Sequence, residues 1–319
     1  MSIISESARA TGPTLRARIL KRLGQIRGGR YAVISIPGLW LAVFFFIPFL
    51  VVFKISLAET AIAIPPYTSL FEFDLEEAML DISINLGNYR YLFEDDFYLS
   101  AYLNSVKIAA ISTFFTLLIG FPMAYLIARS HGATRTLLLS LVILPFWTSF
   151  LLRVYAWMGI LQKNGIVNDF LMSIGLIDTP LTILQTDVAV YIGIVYTYLP
   201  FMVLPLYTAL EKLDGALLEA AEDLGCKPAQ TFFLITLPLS LPGVVAGCLL
   251  VFIPAVGEFV IPALLGGSDT LMIGRVLWDE FFLSRDWPMA SAVATVMLIV
   301  LVLPIMLIRN NAEKQGESS

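Results

Sequence analysis

Residues 218–238 read LEAAEDLGCKPAQTFFLITLP, a short polar stretch set between two long apolar runs. Asp214 stands where an N-cap would start a helix near Gly215. Leu217, Ala220, Ala221 and Leu224 follow at i, i+3, i+4 and i+7, an apolar stripe flanked by Glu219 and Glu222. Gly225 sits where a left-handed residue would close that helix. Pro228 suits the first turn of a second short helix, where its missing N–H costs nothing, and Pro238 is expected to break the helix after it. The pattern predicts a rigid helix pair standing in water between two membrane spans. A chain that lies mostly in lipid has little use for such an insert unless something outside the bilayer grips it.

The rest of the chain does lie mostly in lipid. Of 319 residues, 58% are hydrophobic and 14% charged, with a mean hydropathy of +0.83. Soluble domains carry roughly a quarter charged residues. Runs long enough to cross a hydrocarbon core of about 30 Å recur six times. They fall at about 31–57, 99–128, 136–160, 187–210, 236–262 and 288–309, with the polar insert at 211–235. Backbone groups in lipid must be satisfied internally, so these runs are expected to be helices. The expected fold is an all-α integral membrane protein of six transmembrane helices. No cleavable signal peptide is expected, because residues 1–30 are polar and basic with no apolar segment of their own.

Charge orients the chain. Residues 1–30 carry Arg9, Arg16, Arg18, Lys21, Arg22, Arg27 and Arg30, which the positive-inside rule places in the cytoplasm. Residues 58–98 carry nine acidic residues, among them Glu72, Asp74 and Asp95, against Arg90. That loop is expected outside. Six spans return residues 310–319 to the cytoplasm, and the same count puts 211–235 there. Residues 14–27 space Leu15, Ile19, Leu23 and Ile26 like a surface helix, though a basic tail without structure fits equally.

Segments 161–186 and 263–286 are expected outside as well, the first with a turn at Asn164-Gly165 and a short helix from Val167 to Ile174. Pro122, Pro145, Pro200, Pro205, Pro254 and Pro262 fall within or beside spans, as a pore-forming bundle requires and a plain anchor does not. Gly243 and Gly247 offer a small-residue packing surface, read as contact within the chain. Cys226 and Cys248 lie too differently to pair, and His131 has no neighbours for a metal site; no catalytic or metal residue is expected.

The E-A-A, the glycine after three more residues and the Ile235-x-Leu237-Pro238 after nine more resemble the signature loop of importer permeases of the ATP-binding-cassette (ABC) class. Stretches such as LPFWTSFLLRVYAWMGIL (144–161), IGIVYTYLPFMVLPLY (192–207) and RDWPMASA (285–292) look like polyamine importer permeases, nearest the putrescine type, over about residues 31–309. The resemblance implies a type I ABC importer permease fold in a bacterial inner membrane. It implies that Leu217, Glu219, Ala220, Ala221, Glu222, Leu224 and Gly225 dock onto a dimer of ATPase subunits. It also implies a second, non-identical permease chain and a periplasmic polyamine-binding protein. ATP and Mg would be used by the ATPase partners, since this chain has no phosphate loop and binds no cofactor of its own. No nucleic-acid partner is expected.

A polyamine needs carboxylates for its ammonium ends and favours aromatic faces. Glu258, between Pro254-x-x-Gly257 and Pro262, is the sharpest candidate, because an ionisable residue within a span marks function by default. A partner for Arg153 or a place at the outer water interface would equally account for it. Trp147, Tyr155, Tyr191, Tyr196 and Tyr198 are further candidates for the path, although belts of interfacial aromatics look the same. An ABC permease for another solute or an ion-coupled secondary transporter are the alternatives; the latter would need repeats or an acidic relay that the sequence lacks.

Overall fold

The computed structural model describes residues 28–74 and 79–316. The expectation of a surface helix over residues 14–27 falls outside them. The chain divides between Lys54 and Ile55 into two compact units. In the first, α1 (Gly28–Leu41) passes through one π-helical turn into α2 (Ile47–Ser56). Val33–Ser56 is a 24-residue apolar helix. At 1.5 Å per residue it is about 36 Å long, enough to cross a bilayer.

In the second unit, β1 (Phe71–Asp74) and β2 (Met79–Ile82) pair antiparallel, with Phe71 opposite Ile82. Next come α3 (Gly87–Glu94), α4 (Asp96–Arg129), α5 (Gly132–Ile143), α6 (Phe150–Leu161) and α7 (Ile166–Ser173). They are followed by α8 (Asp187–Glu211), α9 (Gly215–Asp223), α10 (Pro228–Thr231) and α11 (Leu237–Val256). The chain ends in α12 (Val260–Leu265), α13 (Ile273–Asp279) and α14 (Trp287–Gly316).

Helices α4, α8 and α11 form the centre. Phe121 and Ala124 of α4, Met202 and Leu206 of α8 and Val251 of α11 belong to one buried cluster. Lipid offers no hydrophobic drive between helices, so close backbone approach through small residues does the work. A Cβ on Gly243 would lie 2.5 Å from Ala209 Cβ and 2.9 Å from the Pro205 carbonyl, and one on Gly247 would lie 2.7 Å from Met202 Sδ. The glycine pair therefore packs within the chain, against α8.

Each expected span overlaps an apolar helix or the bent helix pair, and four details differ. Four described helices are long and apolar enough to cross a membrane on their own, and Trp287–Val302 is a shorter apolar helix. The expected third span, 136–160, is not one helix. Gly132–Trp147 and Phe150–Ser173 meet at 94°. Pro145 lies in a 3-10 turn over Leu144–Trp147, and Thr148 and Ser149 take extended backbone that ends the helix there. Second, the fifth span does not begin at 236. A continuous helix runs from Pro228 to Val256. Pro238 fails to break it because a π turn over Phe232–Thr236 shifts the ladder, with Leu237 N–H donating to the Phe232 carbonyl. The span also stops at Val256 rather than 262.

Third, part of the segment expected as an outside loop, 263–286, packs into the bundle: Leu265, Met272 and Ile273 are fully buried. The Ile273 N–H donates to Ser105 Oγ of α4 at 2.7 Å, which fixes the start of α13. Fourth, the expected all-α chain has the β1–β2 hairpin in its acidic segment, where Phe71, Glu72, Phe73 and Asp74 alternate apolar and acidic residues. That segment is fastened down by Thr60, whose hydroxyl donates to Asp286 at 2.7 Å. Helix α7 and its glycine stop at Gly175 fall close to where the sequence placed them.

The α8–α11 contact gives a test. Gly243→Ala is expected to destabilise the folded protein by about 1–3 kcal/mol through overpacking. Gly159→Ala, whose Cβ would meet nothing within 4 Å, should be neutral or slightly stabilising. Thermal unfolding of the two purified variants in detergent separates them, and equal midpoints would contradict the packing described.

Candidate functional site

The polar insert folds into a capped helix. Asp214 Oδ1 accepts from Ala216 N–H at 3.0 Å, and starts α9. At the other end Gly225 takes φ +81°, the left-handed region. Its N–H donates to the Glu222 carbonyl (2.9 Å) and Cys226 N–H to the Ala221 carbonyl (3.0 Å). This pair of bonds is the Schellman closure, which satisfies carbonyls that the helix end would leave bare. Two residues on, Lys227 N–H donates to Gln230 Oε1 at 2.8 Å, and caps α10. What the sequence read as a second short helix is thus the first turn of the long Pro228–Val256 helix.

Six of the seven residues singled out in this insert are at the surface. Leu224 is 85% exposed and Leu217 47%, both large apolar side chains in water on a short helix. Glu219, Ala220, Glu222 and Gly225 are exposed too. Ala221 is the exception at 4% exposed, so it seats α9 on its own chain and presents nothing outward.

The second candidate region is the break after α11. Gly257, Glu258 and Phe259 interrupt the helix, and α12 restarts at Val260. A restarted helix exposes backbone N–H groups that lipid cannot satisfy. Glu258 satisfies two of them: its Oε1 accepts from Phe259 N–H (3.1 Å) and Val260 N–H (3.0 Å). Its Oε2 accepts from the Tyr198 hydroxyl at 2.6 Å. The side chain is 8% exposed.

Depth follows from register. Gly243 lies level with Pro205 and Ala209, and Gly247 with Met202, so α11 runs antiparallel to α8. Residues 228–238 therefore extend beyond the Glu211 end of α8, and Glu258 falls in the Asp187 half of α8, within reach of the Tyr198 hydroxyl. The break thus lies toward the Asp187 end of α8, at the far end of the 29-residue helix Pro228–Val256.

Of the five aromatic candidates only Tyr198 touches Glu258. Tyr191 and Tyr196 line a groove of about 640 Å³ between α4 and α8, with Phe115, Ile119 and Trp157. Trp147 is 85% exposed and Tyr155 is half exposed. Arg153 does not pair with Glu258. Its guanidinium lies over Phe146 and Phe150, and Nε and Nη1 are buried without an acceptor among the described residues. An aromatic stack beside the break escaped the sequence reading: Phe259 lies on Trp278 at 4.4 Å, and Trp278 on Phe282 at 4.1 Å. Only the three-dimensional return of residues 260–284 brings it there.

A multi-pass helical bundle with a rigid apolar-tipped helix outside it and a broken helix closed by a buried carboxylate defines a membrane transport component. The chain belongs to the family of binding-protein-dependent transport system inner membrane components, whose pattern matches residues 116–314. It is 47% identical to the spermidine/putrescine transport system permease protein PotB of Haemophilus influenzae, over 70% of this chain and 77% of that one. Against PotB of Escherichia coli the identity is 41%, over 86% and 94%. The inner membrane ABC transporter permease protein YdcU of Escherichia coli is 32% identical over 76% of this chain and 81% of its own. A chain of a bacterial ABC transporter involved in import of the acidic polysaccharide alginate superposes with a TM-score of 0.64, at 17% identity, over 92% of this chain and 99% of that chain. That likeness speaks for the fold alone.

Gly225→Ala is expected to loosen the end of α9, since a left-handed residue with a Cβ costs roughly 1–2 kcal/mol. Amide hydrogen exchange over residues 215–226 should then quicken about five- to thirtyfold. Unchanged protection would mean that the left-handed cap does not hold the helix.

Proposed function

We propose that this chain is one of two permease subunits of an ATP-driven polyamine importer, that it forms half of the translocation path, and that α9 receives the push of the ATPase subunits. The observation that carries the coupling reading is Leu224 and Leu217 exposed on a helix capped at both ends. An apolar tip on a stiff support fits a groove on a partner, with Glu219 and Glu222 placed to pair with bases on its rim. A stiff helix transmits displacement, whereas a flexible loop would absorb it. Ala221, buried, anchors the helix from beneath. Its N- and C-termini are cytoplasmic in this reading, on the side where ATP is found, as the positive-inside count requires. ATP and Mg act in the partner ATPases, and a periplasmic binding protein delivers substrate from the other side. Closure of the ATPase dimer moves α9 and switches the path between inward and outward openings.

The polyamine reading rests on the relatives' names and on Glu258. A carboxylate has about four acceptor sites. Three are used by the two backbone N–H groups and Tyr198. One remains for an ammonium, at a place where charge in low dielectric is strongly felt. Because Glu258 is already held, it needs no reordering to receive a cation. Trp147 and Tyr155, exposed on this chain, suit a path formed between two permease chains. Between putrescine and spermidine the reading keeps both, since both stand in the relatives' names.

Glu258→Gln keeps the shape and removes the charge. A hydrogen bond to a charged group contributes roughly 1.5–3 kcal/mol, so half-saturation for putrescine or spermidine uptake should rise at least about tenfold. The assembled complex should still be recovered. Uptake at wild-type rate and affinity removes Glu258 from the path. For coupling, Leu224→Arg and Glu219→Ala should weaken retention of the ATPase subunits or let hydrolysis run without uptake. Unchanged co-purification and uptake would count against α9 as the docking element.

A further inference from the structure

We infer that Arg135 is a positioning residue that ties the coupling helix to the membrane helices through its ion pair with Glu211. The inference rests on the reading of α9 as the ATPase contact.

Arg135 stands in the first turn of α5, the helix that leads into the 94° bend. Its guanidinium reaches two other helix ends at once. Nε–H donates to the carbonyl of Ser130, the C-cap of α4, at 2.9 Å. Nη1–H donates to Glu211 Oε1 at 2.5 Å, and Glu211 is the last residue of α8. Tyr207, one turn earlier on α8, lies beside the same two charges. A guanidinium suits this place twice over. Its planar fork spans two acceptors in fixed geometry, and a cation is favoured at helix C-termini. The ends of α4, α5 and α8 thus meet at one side chain.

That junction lies next to the coupling helix. Only Lys212 and Leu213 separate Glu211 from Asp214, the N-cap of α9. The link is short: Leu213 N–H donates to the Leu210 carbonyl, and the Asp214 carboxylate is committed to Ala216. A displacement of α9 therefore reaches Glu211 with little slack. Through Arg135 it reaches α5, and α5 continues directly into the bent turn at Leu144–Trp147. Arg129, on the last turn of α4, does not share the task. It lies over the Tyr125 ring at 5.3 Å, and its Nη2 is buried without an acceptor among the described residues.

Energetics argue for a geometric role. The two side chains are 29% and 41% exposed, and ion pairs of that exposure add little to folding stability. Without the pair the helices would still fold, but α5 would lose its direct tie to the base of α9. The strut then matters for how much transport each ATP yields, not for whether the protein assembles.

The test uses the complete importer in proteoliposomes, with polyamine uptake and ATP hydrolysis measured on the same preparation. Arg135→Glu and Glu211→Arg should each leave the ATPase subunits bound, yet lower substrate moved per ATP about fivefold or more. The exchange of both charges should restore at least about half of the wild-type ratio, as a coupled pair requires. Arg135→Lys, which keeps the charge but loses the fork, should fall between. Wild-type ratios in the single reversals overturn the proposal, and so does a double exchange as poor as either single. Should the reversals fail to accumulate, Arg135→Lys decides alone, and a wild-type ratio there contradicts the strut. Failure of the underlying reading looks different: Leu224→Arg would then leave ATPase binding and the transport ratio untouched, whatever Arg135 does.

Discussion

A helix broken inside a bilayer must satisfy its freed backbone groups from its own protein, and this requirement shapes the centre of the molecule. The break at Gly257–Phe259 is closed by one carboxylate. Glu258 caps the restarted helix with one oxygen and holds Tyr198 of α8 with the other. Around that closure α12 and α13 fold back into the core, with Ser105 of α4 receiving the first N–H of α13. The same residue is thus a cap, a link between α11 and α8, and a carboxylate held inside the bundle. A plain structural cap could be a serine or an asparagine. A buried carboxylate is the costlier choice, and that cost motivates the proposal that Glu258 receives a polyamine ammonium.

The second organising element lies at the opposite end of α11. The α9 helix owes its shape to local chemistry: an aspartate at one end, a left-handed glycine at the other, and one buried alanine beneath. Rigidity matters because the surface it presents is small. Between α9 and the break runs the glycine-packed seam of α8 and α11, where Gly243 and Gly247 allow backbone contact with Pro205 and Met202. Helices packed that closely move as a unit, so a push at the base can be felt at the level of Glu258.

What the sequence made legible and what it hid divide along the range of the interactions. Asp214, Gly225 and Pro228 were readable because caps act within a few residues. The break near Glu258 was readable for the same reason, from Pro254, Gly257 and Pro262 in one short stretch. The fifth span's early start was hidden because a π turn can absorb a proline, and Pro238 alone does not say which outcome wins. The 94° bend depends on Thr148 and Ser149 taking extended backbone after Pro145, whereas Pro200 and Pro205 lie inside an unbroken α8. The burial of residues 260–276 rests on contacts across the fold, such as Ser105 with Ile273, that no local pattern encodes. Ala221 looked like a docking residue because the stripe that contains it has two edges, and only packing decides which edge faces inward.

In the proposed function, this chain moves polyamine only when driven by ATPase partners acting through α9. Reconstitution in proteoliposomes with the second permease, the ATPase subunits and the binding protein tests it most directly, with labelled putrescine and spermidine outside and Mg-ATP inside. Uptake should stop when the ATPase subunits are omitted or vanadate is added, and should need no ion gradient. Uptake that survives without the ATPase and follows an imposed ion gradient would contradict that function.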